Sequence, residues 1–196
     1  MGDLVPLRSP RARRDTTAWL GMIIFLASWA MMFAALFFAY GIVRSRAQVW
    51  PPPDLPALPL RLPLVNTALL ALSSVGLELG LGSVRAARPA RTSGLLVAAA
   101  FALGVGFLAL QALVWRDLLA AGLRPATGTY ASVFYGLTGF HGLHVLVGLG
   151  ALAWLCARTF AGTHTPARNL TLRLWAMYWH FVGVVWALVL VAVFVL

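Results

Sequence analysis

The 196-residue sequence has no lysine, only five acidic residues and a single cysteine. Charged residues make up 10% of the chain, whereas about a quarter is usual in soluble domains. The single cysteine, Cys156, excludes an internal disulfide and any metal site built from several cysteines. This shortage of charge excludes an ordinary soluble domain.

Several catalytic motifs are also missing. The sequence contains no CxxC pair, no glycine-rich phosphate loop and no Ser-His-Asp arrangement. The HGLH segment at residues 141–144 lacks the glutamate and the four-residue spacing of the zinc-protease motif HExxH. Because no acid lies nearby to act as a base, hydrolysis has no evident machinery.

Apolar residues dominate what is present. They form 61% of the chain, and the mean hydropathy is +0.87. Each of five apolar runs reaches the roughly 20 residues that a helix needs to cross a bilayer, whereas a barrel strand needs only about 9 to 11. The runs cover residues 18–43, 64–84, 93–115, 129–157 and 172–196. We therefore predict an all-α, single-domain bundle of five transmembrane helices.

The arginines predict the orientation of this bundle. A net charge of +10 would suggest a nucleic-acid partner in a soluble protein, but membrane proteins place arginines in cytoplasmic loops, so we expect no nucleic acid. Ten of the fifteen arginines fall on the side of the N-terminus. We expect a basic cytoplasmic tail over residues 1–17 and the C-terminus outside. The proline-rich outer segment 44–63 should follow an extended, polyproline-like path.

Glu78 is the one acidic residue well inside a predicted span. A charged side chain at mid-bilayer costs about 2.5 to 3.5 kcal/mol on insertion scales. A proton relay or an ion site is one interpretation. The other is a protonated or paired carboxyl near the cytoplasmic end of the helix, with Arg85 seven residues further on.

Three histidines also lie within predicted spans. His141 and His144 are three residues apart and share one face of the fourth span, and His180 lies in the fifth. Imidazole binds haem, copper or zinc, but histidines that form hydrogen bonds between helices are the favoured interpretation. Gly139 and Gly142 lie on roughly the same face as the histidines, which favours a close helix contact.

Uncharged polar residues offer further helix contacts. Asn66 and Gln111 can form hydrogen bonds between spans, each contributing about 0.6 to 2 kcal/mol in membrane systems. Trp179 belongs to a tryptophan stripe with Trp175 and Trp186 in the last span. Such a stripe favours packing or interface anchoring over a quinone pocket. We predict no catalytic, cofactor-binding or metal-binding residue.

Four ordered motifs resemble one known family. Residues 134–148 read FYGLTGFHGLHVLVG and residues 178–186 read YWHFVGVVW; WPP at 50–52 precedes PLVNTALLALSS, and LQALVW occupies 110–115. These segments resemble subunit III of the haem-copper terminal oxidases, the cytochrome c and quinol oxidases. The similarity runs from Trp19 to Leu196 and is to the shorter, five-helix bacterial form.

The resemblance implies a component of a respiratory oxidase that does not itself carry the catalytic centre. It implies that haems and copper belong to partner subunits and that this chain packs against subunit I, alongside subunit II and a subunit IV. In that family the subunit supports stability, sustained turnover and proton uptake, and the longer form holds phospholipid. The implied location is the bacterial inner membrane.

The sequence departs from the family pattern at three intramembrane carboxyls. Trp29 and Val114 stand where the family usually has glutamate, and Gly183 stands where it usually has aspartate. The carboxyls through which the resemblance would imply a proton-related role are therefore missing, whereas the packing residues that imply a scaffold role remain. Two alternatives are a subunit of a nitric oxide reductase or other haem-copper reductase, and an autonomous transporter or haem carrier that uses Glu78 and the histidines.

Overall fold

The computed structural model describes residues 10–50, 52, 58 and 60–195, with side-chain burial given from residue 13 onward. Its five long helices are α1 (Pro10–Arg46), α2 (Arg61–Arg85), α3 (Ala90–Ala120), α4 (Thr129–Phe160) and α5 (Leu170–Val189). A short 3-10 turn, Pro125–Thr127, precedes α4, and a π-helical segment, Leu190–Val195, continues α5. The described residues form no strand, and the all-α prediction of five membrane-spanning helices is confirmed.

The helices extend beyond the predicted spans. α1 begins at Pro10, inside the predicted basic tail, and α3 continues to Ala120 beyond the predicted end at Trp115. A helix satisfies its own backbone hydrogen bonds, so it can continue past the hydrocarbon into the polar interface, where Arg116 and Asp117 lie. The apolar runs in the sequence therefore predict the membrane-spanning part of each helix and not the residues at which the helix begins and ends.

The connections between the helices are mostly short. Pro63 falls in the first turn of α2, where proline is tolerated because that turn has no intrahelical N–H partners to lose. Much of the predicted extended path in segment 44–63 lies outside the described residues. Within the described part, the Trp50 ring lies 4.8 Å from Tyr130 and 5.8 Å from Tyr40, which fixes the end of α1 against α4.

Helices α2 to α5 form the packed body. Gly76 and Gly80 of α2 face Ala100 and Val97 of α3, where an added Cβ would lie 3.6 and 3.0 Å from the facing side chains. Small residues bring these two backbones together, as is usual between transmembrane helices.

Helix α1 lies against this body and exposes much of its apolar surface. Only 6% of its most apolar stretch is buried, compared with 33% to 44% in the other four spans. The Tyr40 hydroxyl donates a 2.7 Å hydrogen bond to the carbonyl oxygen of Ala192, and Phe33 is buried against α4.

Candidate functional site

The two histidines of α4 are enclosed among aromatic rings. His141 is 1% exposed and His144 is 4% exposed. The His141 ring stacks on that of Trp186, with the ring centres 5.4 Å apart and the planes 30° apart. The His144 ring meets Trp29 edge-on at 3.9 Å and Phe33 at 5.1 Å. Both rings therefore face protein and not lipid.

The hydrogen bonding of these rings is incomplete. His144 Nδ1 lies 2.7 Å from the carbonyl oxygen of Phe140, so this nitrogen carries the proton and donates to its own helix. The other His144 nitrogen and both nitrogens of His141 are buried without a partner in the described part of the chain. Hydrogen bonds from these rings to another helix therefore stay a prediction.

The glycines of α4 divide into two groups. An added Cβ on Gly142 would lie 3.2 Å from the Trp115 ring, whereas Gly139 has nothing within 4 Å. The structure therefore brings Gly142, but not Gly139, into a tight contact. The Trp115 indole also donates a 3.1 Å hydrogen bond to the hydroxyl of Thr138 on α4.

Two glycines lie close to the ring of Trp179 of α5, which is fully buried. A Cβ on Gly148 would lie 2.6 Å from its ring, and one on Gly104 would lie 2.8 Å from it. Neither Gly104 nor Gly148 stands out in the sequence as a contact residue. The FHGLHVLVG motif contains Gly148, but only the position of the tryptophan explains why a side chain does not fit there.

Indole hydrogen bonds tie α5 to α2. Trp179 Nε1 donates to Ser73 Oγ at 3.0 Å, and Ser73 Oγ donates in turn to the carbonyl oxygen of Ala100 on α3 at 2.6 Å. Trp186 Nε1 donates to Thr67 Oγ1 at 3.0 Å. The Tyr178 hydroxyl donates to the backbone carbonyl of His144 at 3.0 Å. The tryptophan stripe thus combines packing with hydrogen bonds between helices.

Asn66 and Gln111 lie opposite each other on α2 and α3. The Asn66 side-chain nitrogen donates to Gln111 Oε1 at 3.2 Å, and both residues are 1% exposed or less. Asn66 Oδ1 and Gln111 Nε2 are buried without a partner in the described part of the chain. Two candidates from distant parts of the sequence thus form one cross-helix contact.

Glu78 and His180 form a second cross-helix contact, between α2 and α5. Glu78 Oε1 lies 2.9 Å from His180 Nε2. The side chains remain 49% and 37% exposed on the outer surface of the bundle. The sequence indicated Arg85 of the same helix as a partner for Glu78, and it missed this pairing because spacing along one helix does not reveal neighbours on another.

The three positions that depart from the family pattern lie in different surroundings. Trp29 packs on His144, and Val114 is fully buried. Gly183 faces Ser74 Oγ, which would lie 3.7 Å from an added Cβ. Gly183 is three residues after His180, and Ser74 is four residues before Glu78, so this position adjoins the Glu78–His180 contact.

A cleft of about 670 Å³ opens where α1 begins and α4 ends. Its lining includes Asp15, Trp154, Arg158, His164 and Arg168. The Arg158 guanidinium lies 5.4 Å above the Trp154 ring, and His164 Nδ1 is 3.2 Å from the hydroxyl of Thr159. Burial, followed by the nearby charge of Arg158, lowers the pKa of His164 below its ordinary value.

These contacts define the class of protein. Five long apolar helices, joined by hydrogen bonds and close glycine–aromatic contacts between helices, make a helical polytopic membrane protein. No group of three or more His, Cys, Asp or Glu side chains within the described ranges is placed to hold a metal ion. The polar side chains of its spans mostly contact other helices.

Comparison with known proteins identifies the family. Residues 14–196 match the profile of cytochrome c oxidase subunit III, and the chain belongs to that family. A probable cytochrome c oxidase subunit 3 of Nocardia farcinica is 35% identical over 190 residues, covering 94% of this chain and 91% of the relative. The subunit 3 of a Synechocystis species is 37% identical over 177 residues, covering 90% of this chain and 74% of the relative. The subunit 3 of Lumbricus terrestris is 35% identical over 172 residues, covering 85% of this chain and 65% of the relative.

Proposed function

We propose that this chain is the scaffold subunit III that packs against subunit I of a bacterial haem-copper oxidase, where oxygen is reduced to water and protons are translocated. The observation that carries the proposal is the family match, which covers all five membrane-spanning helices. The relatives are named as cytochrome c oxidase subunits, which disfavours the nitric oxide reductase alternative.

In this assignment the haems and copper belong to partner chains, and subunits I, II and a subunit IV are the protein partners. This chain contributes stability, sustained turnover and support for proton uptake. The glycine–tryptophan contacts of α3, α4 and α5 support such a role because they make a rigid body of fixed shape. The proposed location is the bacterial inner membrane, with the N-terminus cytoplasmic.

Affinity purification through a tag on this chain tests the assignment. We expect a haem-bearing subunit I to co-purify, and we expect the chain to bind no haem when it is expressed alone. Stoichiometric haem in the isolated chain would contradict the proposal. Uptake of a solute by the reconstituted chain alone, abolished by Glu78→Gln, would favour the transporter alternative instead.

We also propose that the cleft between the ends of α1 and α4 holds a phospholipid. Arg158 and Arg168 supply positive charge for a phosphate group, and Trp154 provides an apolar wall of the kind found at membrane interfaces. Mass spectrometry of lipid retained by the purified complex tests this. Arg158→Gln should lower the retained phospholipid, whereas Arg91→Gln, an exposed arginine at the start of α3, should not.

A further inference from the structure

Glu78 is the only glutamate of the chain, and it lies within the membrane-spanning part of α2. It precedes the end of α2 at Arg85 by seven residues, or about 10 Å of helix. Its partner His180 lies ten residues after the start of α5 at Leu170, or about 15 Å of helix. The 2.9 Å contact between these side chains therefore lies along two membrane-spanning helices, away from the helix ends.

Exposure distinguishes this contact from the other polar contacts in the spans. Asn66, Gln111 and His141 are 1% exposed or less and are sealed between helices. The side chains of Glu78 and His180 are 49% and 37% exposed. A charged group facing hydrocarbon is costly, so an ionisable residue inside a span generally adjoins water or a partner and serves a function.

Two clefts meet at Glu78. The first has a volume of about 360 Å³ and extends to the turn between α2 and α3, with Glu78, Ser83, Arg88 and Thr92 in its lining. The second, of about 370 Å³, is lined by Glu78, His180 and Ser74, among others. The two clefts share Glu78 and Leu79 in their linings, so Glu78 lies between the turn that joins α2 to α3 and the imidazole of His180.

The charged and titratable groups around Glu78 come from few elements. His180 faces it from α5, and Arg88 shares the first cleft from the turn. Arg85 lies seven residues further along α2 on nearly the same face. Helix α3 contributes Thr92 and Leu96 to the cleft, and neither ionises. Arginine is not deprotonated in proteins, so neither Arg85 nor Arg88 supplies the proton.

We propose that Glu78 and His180 form a protonatable site that exchanges protons with water through the cleft at the turn between α2 and α3. The site takes the proton as its ligand and goes beyond the scaffold role. It uses neither of the glutamate positions occupied here by Trp29 and Val114, nor the aspartate position occupied by Gly183.

The proton balance of the site is simple. One proton shared between the two groups leaves the pair neutral, either as carboxylate beside imidazolium or as carboxylic acid beside neutral imidazole. Uptake of a second proton gives carboxylic acid beside imidazolium, and its release to water in the cleft restores the neutral pair. Each state keeps a hydrogen-bond donor between Oε1 and Nε2, so the helices need not move apart.

Infrared difference spectroscopy of the purified complex across a pH series tests the proposal. A band from the protonated carboxyl should grow as the pH falls and should shift when the buffer is replaced by D₂O. Glu78→Gln should abolish this band. The matched control is Asp117→Asn, because Asp117 is an exposed carboxyl that pairs with Arg116 at the end of α3, and it should leave the band unchanged.

A pH difference spectrum identical in the wild-type and Glu78→Gln complexes would overturn the proposal, as would a Glu78 carboxyl that neither titrates nor exchanges. If Glu78→Gln prevents assembly, His180→Asn provides a second test, because it keeps the carboxyl and removes the imidazole. The carboxyl band should then move to another frequency. An unmoved band would also overturn the proposal. Loss of the band with the haem-bearing partner still bound supports the site. Absence of that partner from the wild-type preparation would count against the proposed function instead. The same pH series on the isolated chain would then show whether Glu78 and His180 bind a proton without the partner.

Discussion

The bundle contains two kinds of polar contact, one enclosed and one open. The enclosed seam consists of Ser73, Gly148 and Trp179 with their neighbours on α2 to α4, and its side chains are buried. The open pair is Glu78 with His180, on the outer surface between α2 and α5. Both kinds join helices through polar atoms, yet only one lies where a proton or a partner can reach it.

The difference shows what polar groups contribute in an apolar solvent. In the enclosed seam each indole N–H finds a hydroxyl, because an unpaired donor in hydrocarbon costs several kcal/mol. The seam therefore fixes the geometry of the helices. The open pair lies beside two clefts and remains partly exposed, so we expect its polar atoms to contribute less to stability than those of the seam.

The largest expected effect is from Trp179→Ala in the enclosed seam. The change removes a fully buried ring that fills the space beside Gly104 and Gly148, and it deletes the hydrogen bond to Ser73. A buried Trp→Ala substitution costs about 3 to 5 kcal/mol in the free energy of unfolding. Denaturant titration of the purified protein measures the loss.

Trp154→Ala is the control, since Trp154 is 48% exposed. It should cost far less than Trp179→Ala. Equal losses from the two substitutions would show that the seam is not the stabilising part of the bundle.

A smaller effect is expected from filling the space that a glycine leaves. Gly148→Leu would force its Cβ to within 2.6 Å of the Trp179 ring, whereas Gly150 has nothing within 4 Å. Overpacking of this kind costs about 1 to 3 kcal/mol, so Gly148→Leu should lower the melting temperature and Gly150→Leu should not. Matching melting temperatures for the two variants would contradict the placement of α5 against α4.

Much of this architecture could be predicted from the sequence. Five apolar runs gave the number of helices, and the polar candidates Asn66 and Gln111 do meet across α2 and α3. The critical glycines could not be identified, because Gly104, Gly148 and the open Gly139 look alike until a neighbouring ring is placed. The contact of Glu78 with His180 was equally hidden, since it depends on the rotation of two helices about their axes.

The polar contact between Asn66 and Gln111 should contribute a moderate amount. Gln111→Leu leaves the Asn66 amide buried without its acceptor, and we expect a loss of about 1 to 2 kcal/mol in the free energy of unfolding. The double variant Asn66→Leu, Gln111→Leu should recover part of that loss because it removes both unpaired groups. If the loss in the double variant equals the sum of the losses in Gln111→Leu and Asn66→Leu, the two residues are not coupled.

The smallest effect on stability is expected at the open pair, from Glu78→Gln. The glutamine amide keeps the shape of the side chain and can still bond to His180 Nε2, and the site is partly exposed, so we expect a change below about 0.5 kcal/mol. Denaturant titration beside the Gln111→Leu variant gives the direct comparison. Should Glu78→Gln destabilise the protein more than Gln111→Leu, the charge of Glu78 would be a structural element, and the contrast between the enclosed seam and the open pair would fail. A Glu78→Gln protein as stable as the wild type would show that the contact between α2 and α5 does not need the carboxyl group. The open pair would then differ from the enclosed seam in its capacity to bind a proton and not in its contribution to stability.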